Sequence, residues 1–267
     1  MTYGDYAPNS KVLLCLPGLN RNGHDFTFLA EYLSQLGYYI IAPDLPGRGA
    51  SSYLQDTRGY TLESNIADIL QLLEQLQIEQ FSVLGVSLGG IIAMCLAALP
   101  QLSIEKLVLS DIGAEIEPAG LSRIAAYHVQ QPTFTSYVDA SAYLRAITAN
   151  EGIYNEQVWQ HLFKHTLKIN REGSWELNRD PQLGPSLLKA LKEQTKLNFW
   201  QEWEKIKSPT LLIHGVHSDI VSGATLDTMQ QINPFAERMT IKDAGHAPYI
   251  YRKFHIRRIA NFLLRHA

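Results

Sequence analysis

Three side chains that together can activate a hydroxyl group stand at separate points of the chain: Ser87, Asp219 and His246. A serine hydroxyl is a weak nucleophile until a base takes its proton and a third group holds that base in the right tautomer. The serine is the centre of the segment GVSLG at residues 85–89, in which small glycines allow a sharp turn. The segment predicts a nucleophile elbow, with the hydroxyl group standing clear of the backbone.

The residues on either side of this segment supply the context that the motif needs. The run Phe81–Leu84 is short, apolar and partly β-branched, as in a buried strand, and Ile91–Leu99 has the composition of a buried helix. The same residues could be compared with the dinucleotide fingerprint GxGxxG, but Ser87 replaces its second glycine, where a Cβ would block a pyrophosphate. Strand, turn and helix therefore favour the elbow over a chance pattern.

Further along the chain, short apolar runs alternate with stretches of helical periodicity, which indicates an α/β fold with a mainly parallel sheet. The predicted strands are Val12–Leu16, Tyr38–Ala42, Phe81–Leu84, Lys106–Leu109, Thr210–Ile213 and Arg238–Ile241. Ligand sites in such sheets lie at the carboxyl ends of the strands. The residues Ser87, Asp111, Asp219 and His246 all follow strands at that end.

The alternation stops between residues 113 and 207, where no strand is predicted and the pattern is helical. The helices predicted there are Ser122–Val129, Ser141–Ala149, Glu156–His165 and Pro185–Gln194. We therefore expect a core domain of residues 1–112 and 208–267 and a cap of residues 113–207 that covers the site as a lid. Some of the cap aromatics Tyr127, Phe134, Tyr143 and Trp159 are expected to line a pocket over Ser87, although packing within the cap is the alternative.

The charge and cysteine content of the chain restrict the kinds of binding partner and the cellular compartment that we expect. The 267 residues carry a formal charge of −3 with scattered basic residues, which gives no footprint for nucleic acid or an anionic membrane. Both cysteines, Cys15 and Cys95, lie in apolar segments, as expected for thiols of a reducing compartment, and the polar N-terminus is unlike a secretory signal. We expect a cytoplasmic protein with a small-molecule substrate. The sequence does not give its oligomeric state.

The chain resembles the α/β-hydrolase fold family, and in particular serine hydrolases of the esterase and lipase type with a helical cap. The matching segments are LPGLNRNGHDF at 16–26, APDLPGRG at 42–49, the elbow, and GHAP at 245–248. The order Ser, Asp, His is also that of the family. The resemblance implies that Ser87 is the nucleophile, His246 the base and Asp219 the acid. It also implies an oxyanion hole formed by the backbone N–H groups of Leu19 and Leu88.

Two departures from the family pattern and two alternatives remain. Pro17-Gly18 replaces the common His-Gly pair, and the few residues before the first strand predict a sheet of about six strands. Asp111 is the alternative acid, since it follows the strand next to the elbow strand. The spacing of His214, His217 and Asp219 could suit a metal, but no further ligand cluster is evident, so we expect none.

The sequence thus predicts a cofactor-independent serine hydrolase that cleaves a small carboxylic ester through an acyl-enzyme intermediate. A carbon–carbon bond hydrolase, a lactonase or an acyltransferase could use the same three residues. From another class, the fold could serve as a ligand-binding or receptor module with weak or no turnover.

Overall fold

The computed structural model describes residues 1–7, 10–186 and 198–265, and its centre is a single large β-sheet. The strands are β1 (Thr2–Tyr3), β2 (Lys11–Leu16), β3 (Tyr38–Ile41), β4 (Gln80–Val86), β5 (Ser103–Ser110), β6 (Leu167–Ile169), β7 (Trp175–Leu177), β8 (Thr210–Gly215) and β9 (Ala236–Ile241). Seven of them form the large sheet in the order β1-β3-β2-β4-β5-β8-β9, with β6 and β7 paired separately.

Helices fill the connections between these strands. In chain order they are α1 (Thr27–Ser34), α2 (Leu62–Gln75), α3 (Leu88–Ala97), α4 (Pro118–His128), α5 (Tyr137–Ile147), α6 (Glu156–Thr166), α7 (Trp200–Trp203), α8 (Gly223–Ile232) and α9 (Lys253–Leu264). In the described part of the chain, every helix is too short or too polar to span a bilayer.

The predicted α/β architecture is confirmed, since every strand pair of the large sheet is parallel except β1 with β3. The six predicted strands each coincide with a strand of this sheet. The seventh, β1, is an antiparallel edge strand of two residues, Thr2–Tyr3, that pairs with Ile40 and Ile41. So short a strand has no readable alternation of apolar residues, and the expectation of about six strands missed it for that reason.

Alternation along the strands divides the core between the two faces of the sheet. In β2, Leu14 and Leu16 pack in one apolar cluster with α2 and α3, whereas Leu13 and Cys15 pack in another with α1 and α9. Both clusters are buried, as expected for a parallel sheet covered on both faces. The strands are thereby fixed in register, and their carboxyl ends meet at one edge.

The segment between β5 and β8 contains α4, α5, α6 and α7, together with the hairpin of β6 and β7. The prediction that this segment has no strand is therefore wrong. The turn of the β6–β7 hairpin includes Gly173, whose φ of 83° favours glycine. The two strands have only three residues each, which is too short to show the alternation of apolar and polar residues that predicts a strand. Helices lie at three of the four predicted places, whereas most of the predicted helix Pro185–Gln194 falls outside the described residues.

A third apolar cluster lies within this inserted segment. Leu144, Trp159, Leu162 and Phe163 are its buried centre, and Tyr249, from the loop after β9, packs against them. The segment therefore has a small core of its own that also contacts the main domain.

Candidate active site

Ser87 occupies the turn between β4 and α3. Its φ of 52° and ψ of −115° are unusual for a residue with a side chain. Such a conformation costs of order 1–3 kcal/mol and persists only where the surrounding structure enforces it. Here the N–H of Ser87 donates to the carbonyl of Ser110 at 3.1 Å, and the N–H of Gly90 donates to the carbonyl of Ser87 at 2.8 Å.

The glycines of the segment let this turn pack closely against the neighbouring backbone. A Cβ on Gly89 would collide with the carbonyl of Leu16, at the end of β2. A Cβ on Gly85 would collide with the carbonyl of Gly89 itself. The turn can therefore adopt this geometry only with glycine at both positions.

His246 lies in the loop after β9 and connects the serine to a carboxylate. Its Nε2 is 2.9 Å from Oγ of Ser87, and its Nδ1 is 2.8 Å from Oδ2 of Asp111. The imidazole is nearly buried, with a side-chain exposure of 7%, and the Asp111 carboxylate is fully buried. The Ser, His and Asp side chains therefore form a continuous hydrogen-bonded chain.

The carboxylate of this chain is that of Asp111, which directly follows β5. Its Oδ1 accepts a hydrogen bond of 2.8 Å from the N–H of Gly215, and its Oδ2 accepts one of 2.6 Å from the hydroxyl of Ser218. Like Ser87, Asp111 has a positive φ, of 53°. These contacts direct the carboxylate from the end of β5 toward His246.

The prediction that Asp219 contacts His246 is wrong. Its carboxylate, with a side-chain exposure of 39%, instead forms a two-pronged ion pair with Arg123 of α4 at 2.5 and 2.8 Å. The Arg123 guanidinium holds the pKa of Asp219 below its usual range. The preceding residue, Ser218, instead donates a hydrogen bond to Asp111, the carboxylate that contacts the imidazole. The ion pair with Arg123 connects Asp219 to the inserted segment.

Leu19 and Leu88 both line the same cavity as Ser87. Neither backbone N–H donates to another residue of the described part of the chain. Leu88 is the first residue of α3, where an N–H has no intrahelical acceptor. The carbonyl of Leu19 accepts a hydrogen bond of 2.8 Å from the buried Arg48, which holds this loop in place.

A cavity of about 190 Å³ lies over Ser87, between the sheet edge and the inserted segment. Much of its wall is aliphatic, from Ile91, Ile112, Ile116, Leu121, Ile124, Leu144, Ile147 and Ile220. Of the four aromatics predicted to line a pocket, Tyr127 does so. Phe134, Tyr143 and Trp159 are absent from the wall and pack within the inserted segment, where Phe134 contacts Tyr143 and Trp159 stacks on Phe163.

A partly buried ion cluster forms another part of the wall. Arg21 binds Asp25 through Nε and Nη2, at 2.6 and 2.9 Å, and reaches Glu151 through Nη1 at 3.2 Å. One guanidinium thus faces two carboxylates. Burial, reinforced by the nearby Asp25, raises the pKa of Glu151 from 4.5 to about 7 despite the opposing effect of Arg21.

Sequence reasoning missed several of these residues. Ser218 precedes Asp219, but serines are common in loops, and no sequence pattern marks this one as a partner of Asp111. The ion cluster joins positions 21 and 151, and no local pattern predicts such a distant pair. Arg179, also in the cavity wall, lies in the inserted segment after β7.

The spacing of His214, His217 and Asp219 does not correspond to a metal site. In residues 1–7, 10–186 and 198–265, no group of three or more His, Cys, Asp or Glu side chains is arranged to hold a metal ion. Asp219 is engaged by Arg123 instead.

Comparisons with known proteins show what the whole chain is similar to. The family model described as alpha/beta hydrolase fold matches residues 11–253. The 3-hydroxybutyrate-oligomer hydrolase of Cupriavidus necator is 34% identical over 252 residues, covering 92% of this chain and 85% of that protein. The sn-1-specific diacylglycerol lipase ABHD11 of Mus musculus is 27% identical over 245 residues, or 88% of this chain and 75% of the other.

A solved structure is also similar. The crystal structure of a protein from Rickettsia typhi superimposes with a TM-score of 0.92 at 33% identity, covering 100% of this chain and 90% of the other. The chain therefore belongs to the α/β-hydrolase fold family.

Proposed function

We propose that this hydrolase-family protein is a serine esterase that works through an acyl-enzyme intermediate. The observation that carries the proposal is the pair of hydrogen bonds at His246, 2.9 Å to Ser87 and 2.8 Å to Asp111. These distances put the hydroxyl within reach of a base whose opposite nitrogen is oriented by a buried carboxylate.

In the proposed reaction, Ser87 Oγ attacks the acyl carbon of the ester while His246 Nε2 takes the hydroxyl proton. Asp111 accepts the hydrogen bond from Nδ1–H, which fixes the tautomer and stabilises the imidazolium. The tetrahedral intermediate then collapses, and His246 returns the proton to the leaving alcohol. A water molecule attacks the acyl-enzyme in the same way and releases the acid.

The unpartnered N–H groups of Leu19 and Leu88 support an oxyanion hole at this serine. Each such donor, aimed at the developing negative charge, contributes about 2.7–4 kcal/mol to lowering the barrier in acyl-transfer enzymes. Arg48 would act indirectly, because it holds the carbonyl of Leu19.

The cavity favours a small substrate. Its volume of about 190 Å³ and mostly aliphatic wall suit a short acyl chain. Residues of the inserted segment, among them Ile124, Tyr127 and Leu144, contribute to that wall, which supports a cap role for residues 113–207. Since the relative from Cupriavidus necator hydrolyses 3-hydroxybutyrate oligomers, esters of short hydroxy acids are the first natural substrates to test.

Turnover of p-nitrophenyl butyrate, together with labelling by a fluorophosphonate, tests the proposal. We expect hydrolysis and labelling in the unmodified protein and neither in Ser87→Ala, with little change in thermal stability. Labelling that persists in Ser87→Ala would move the nucleophile elsewhere. A panel of lactones, diketones and alcohol acceptors in the same assay would reveal the alternative reactions of this triad.

A further inference from the structure

Arg179 is a buried cation in the wall of the cavity that contains Ser87. It lies two residues after the end of β7, and only 2% of its surface is exposed. An arginine remains protonated in proteins, so this position places a full positive charge in the wall of the cavity that holds the proposed reaction centre.

The acceptors around this guanidinium are all neutral. Nη1 donates to Oδ1 of Asn20 at 2.7 Å and lies 2.9 Å from Nδ1 of His128, and Nη2 donates to the carbonyls of His128 and Gln130 at 3.2 and 3.1 Å. The buried Nε has no hydrogen-bond partner. Burial, with the nearby charges of Arg179 and Arg48, holds the pKa of His128 well below its usual range, so the imidazole is a neutral acceptor.

No carboxylate of the described residues forms an ion pair with Arg179, and the buried Asp180 that follows it accepts a hydrogen bond from the hydroxyl of Tyr60 instead. The two carboxylates of the cavity wall, Asp25 and Glu151, both bind Arg21. The neighbouring Arg48 is a second buried cation and adds repulsion. Burying a charge without a counter-ion is unfavourable, and an anion that enters the cavity would relieve that cost.

We propose that Arg179 binds a carboxylate of the substrate, so that the natural substrates are short esters that carry a free carboxylate group. This inference rests on the proposed esterase function and narrows its substrate class. Oligomers of hydroxy acids have this chemistry, because each ends in a free carboxylate. The guanidinium has a permanent charge and one donor left for this group, because Nε–H has no partner while the other four N–H groups face acceptors of the protein.

The contact with Asn20 places this anchor next to the proposed oxyanion hole. Asn20 follows Leu19 in the chain, and both line the cavity with Ser87 and Arg179. The carboxylate and the ester are therefore expected to lie within the same small cavity. This limits the substrate to a few bonds between the two groups.

Matched pairs of esters test the proposal. One pair carries the carboxylate on the acyl side: the p-nitrophenyl monoester of glutaric acid against its methyl ester. The other carries it on the alcohol side: 3-(butyryloxy)butyrate against the corresponding amide. We expect kcat/KM to favour the anionic member of at least one pair by about tenfold or more, as for a hydrogen bond to a charged group, and the pair that responds identifies the side.

Substitution of the arginine should remove that preference. Arg179→Gln should raise KM for the preferred anionic ester by about 10- to 100-fold and alter the neutral ester by less than about threefold. Arg179→Lys, which keeps the charge but lacks the Nε–H donor, should give an intermediate value. Arg145→Gln is the matched control, because Arg145 is also an arginine of the inserted segment but pairs with Glu156 outside the cavity wall. This variant should leave KM unchanged for both the anionic and the neutral ester.

A binding measurement keeps the test independent of turnover and of how the Arg179 variants fold. Calorimetric titration of Ser87→Ala with 3-(butyryloxy)butyrate and with its amide should show tighter binding of the anion. Two results would overturn the carboxylate anchor. One is equal affinity of Ser87→Ala for the anion and the amide, together with equal kcat/KM for the two members of each ester pair. The other is a folded Arg179→Gln variant in which kcat/KM falls equally for the anionic and the neutral member of a pair. Absence of any ester turnover or labelling would instead contradict the esterase function.

Discussion

The hydroxyl group of Ser218 donates a hydrogen bond of 2.6 Å to Oδ2 of Asp111. The same oxygen accepts the hydrogen bond from His246 Nδ1, while Oδ1 is occupied by the N–H of Gly215. The loop after β8 therefore contributes a hydroxyl and a backbone donor to the site, and the carboxylate comes from the neighbouring strand, β5. This division of roles leads to the first two predictions.

Replacement of the two candidate acids should have very different effects. Asp111→Asn keeps the shape of the side chain but presents an amide N–H to Nδ1, which favours the wrong imidazole tautomer. We expect kcat to fall by about 10³–10⁴-fold, as for the equivalent change in a Ser-His-Asp protease. Asp219→Asn loses only a half-exposed ion pair with Arg123, of about 0–1 kcal/mol, and should retain kcat. Steady-state kinetics on an activated ester distinguish the two, and the reverse order of effects would return the acid to Asp219.

Ser218 should act as a positioning residue for that carboxylate. Its hydroxyl donates to Asp111 and also receives the N–H of Ile220 at 3.2 Å, so it connects the carboxylate to the loop. Loss of a hydrogen bond to a charged group costs about 1.5–3 kcal/mol, and we expect Ser218→Ala to lower kcat by roughly tenfold with KM unchanged. Ser218→Thr should restore most of kcat. A rise in KM at constant kcat would mean that Ser218 contacts substrate instead.

The sequence could predict the edge of the sheet where the candidate site lies, but not which carboxylate contacts His246. Asp111 and Asp219 both follow strands, β5 and β8, that are neighbours and end at the same edge. What separates them is a contact from outside the sheet, since Arg123 of α4 engages Asp219 across 96 positions of sequence. No periodicity or motif encodes such a pairing, so propensity and pattern alone leave both carboxylates available.

The aromatic residues of the inserted segment show the same limit on a larger scale. Helical periodicity tells which residues share a face, but not whether that face meets the cavity or the segment's own core. Tyr127 of α4 lies on the cavity side, whereas Trp159 of α6 is buried against Phe163. The distinction depends on how these helices pack against one another, which only the three-dimensional arrangement provides.

Truncation of these two aromatics should therefore affect different quantities. Tyr127→Ala removes part of the cavity wall and should raise KM with little loss of stability. Trp159→Ala leaves a void in the third apolar cluster and should lower the free energy of unfolding by about 3–5 kcal/mol, with KM nearly unchanged in the folded protein. Chemical denaturation and steady-state kinetics on both variants provide the comparison. Similar KM changes in the two would show that Trp159 also faces the substrate.

The ion cluster of Arg21, Asp25 and Glu151 should make stability depend on pH near neutrality. Burial, with Asp25 nearby, raises the pKa of Glu151 from 4.5 to about 7 in the folded protein. Between these values the folded state holds a proton that the unfolded state has lost. The stability associated with that proton is complete below pH 4.5 and is lost as the pH rises through 7.

Glu151→Gln isolates this contribution, because glutamine mimics the protonated carboxyl and can still accept from Arg21. We expect the free energy of unfolding of the unmodified protein to fall relative to that of the variant by about 1–3 kcal/mol between pH 5 and 8. Urea unfolding of both proteins across that range measures the difference, and titrating groups that the two share cancel in it. Parallel curves for the two proteins would mean that Glu151 is already ionised at pH 5 and that Arg21 outweighs the effect of burial.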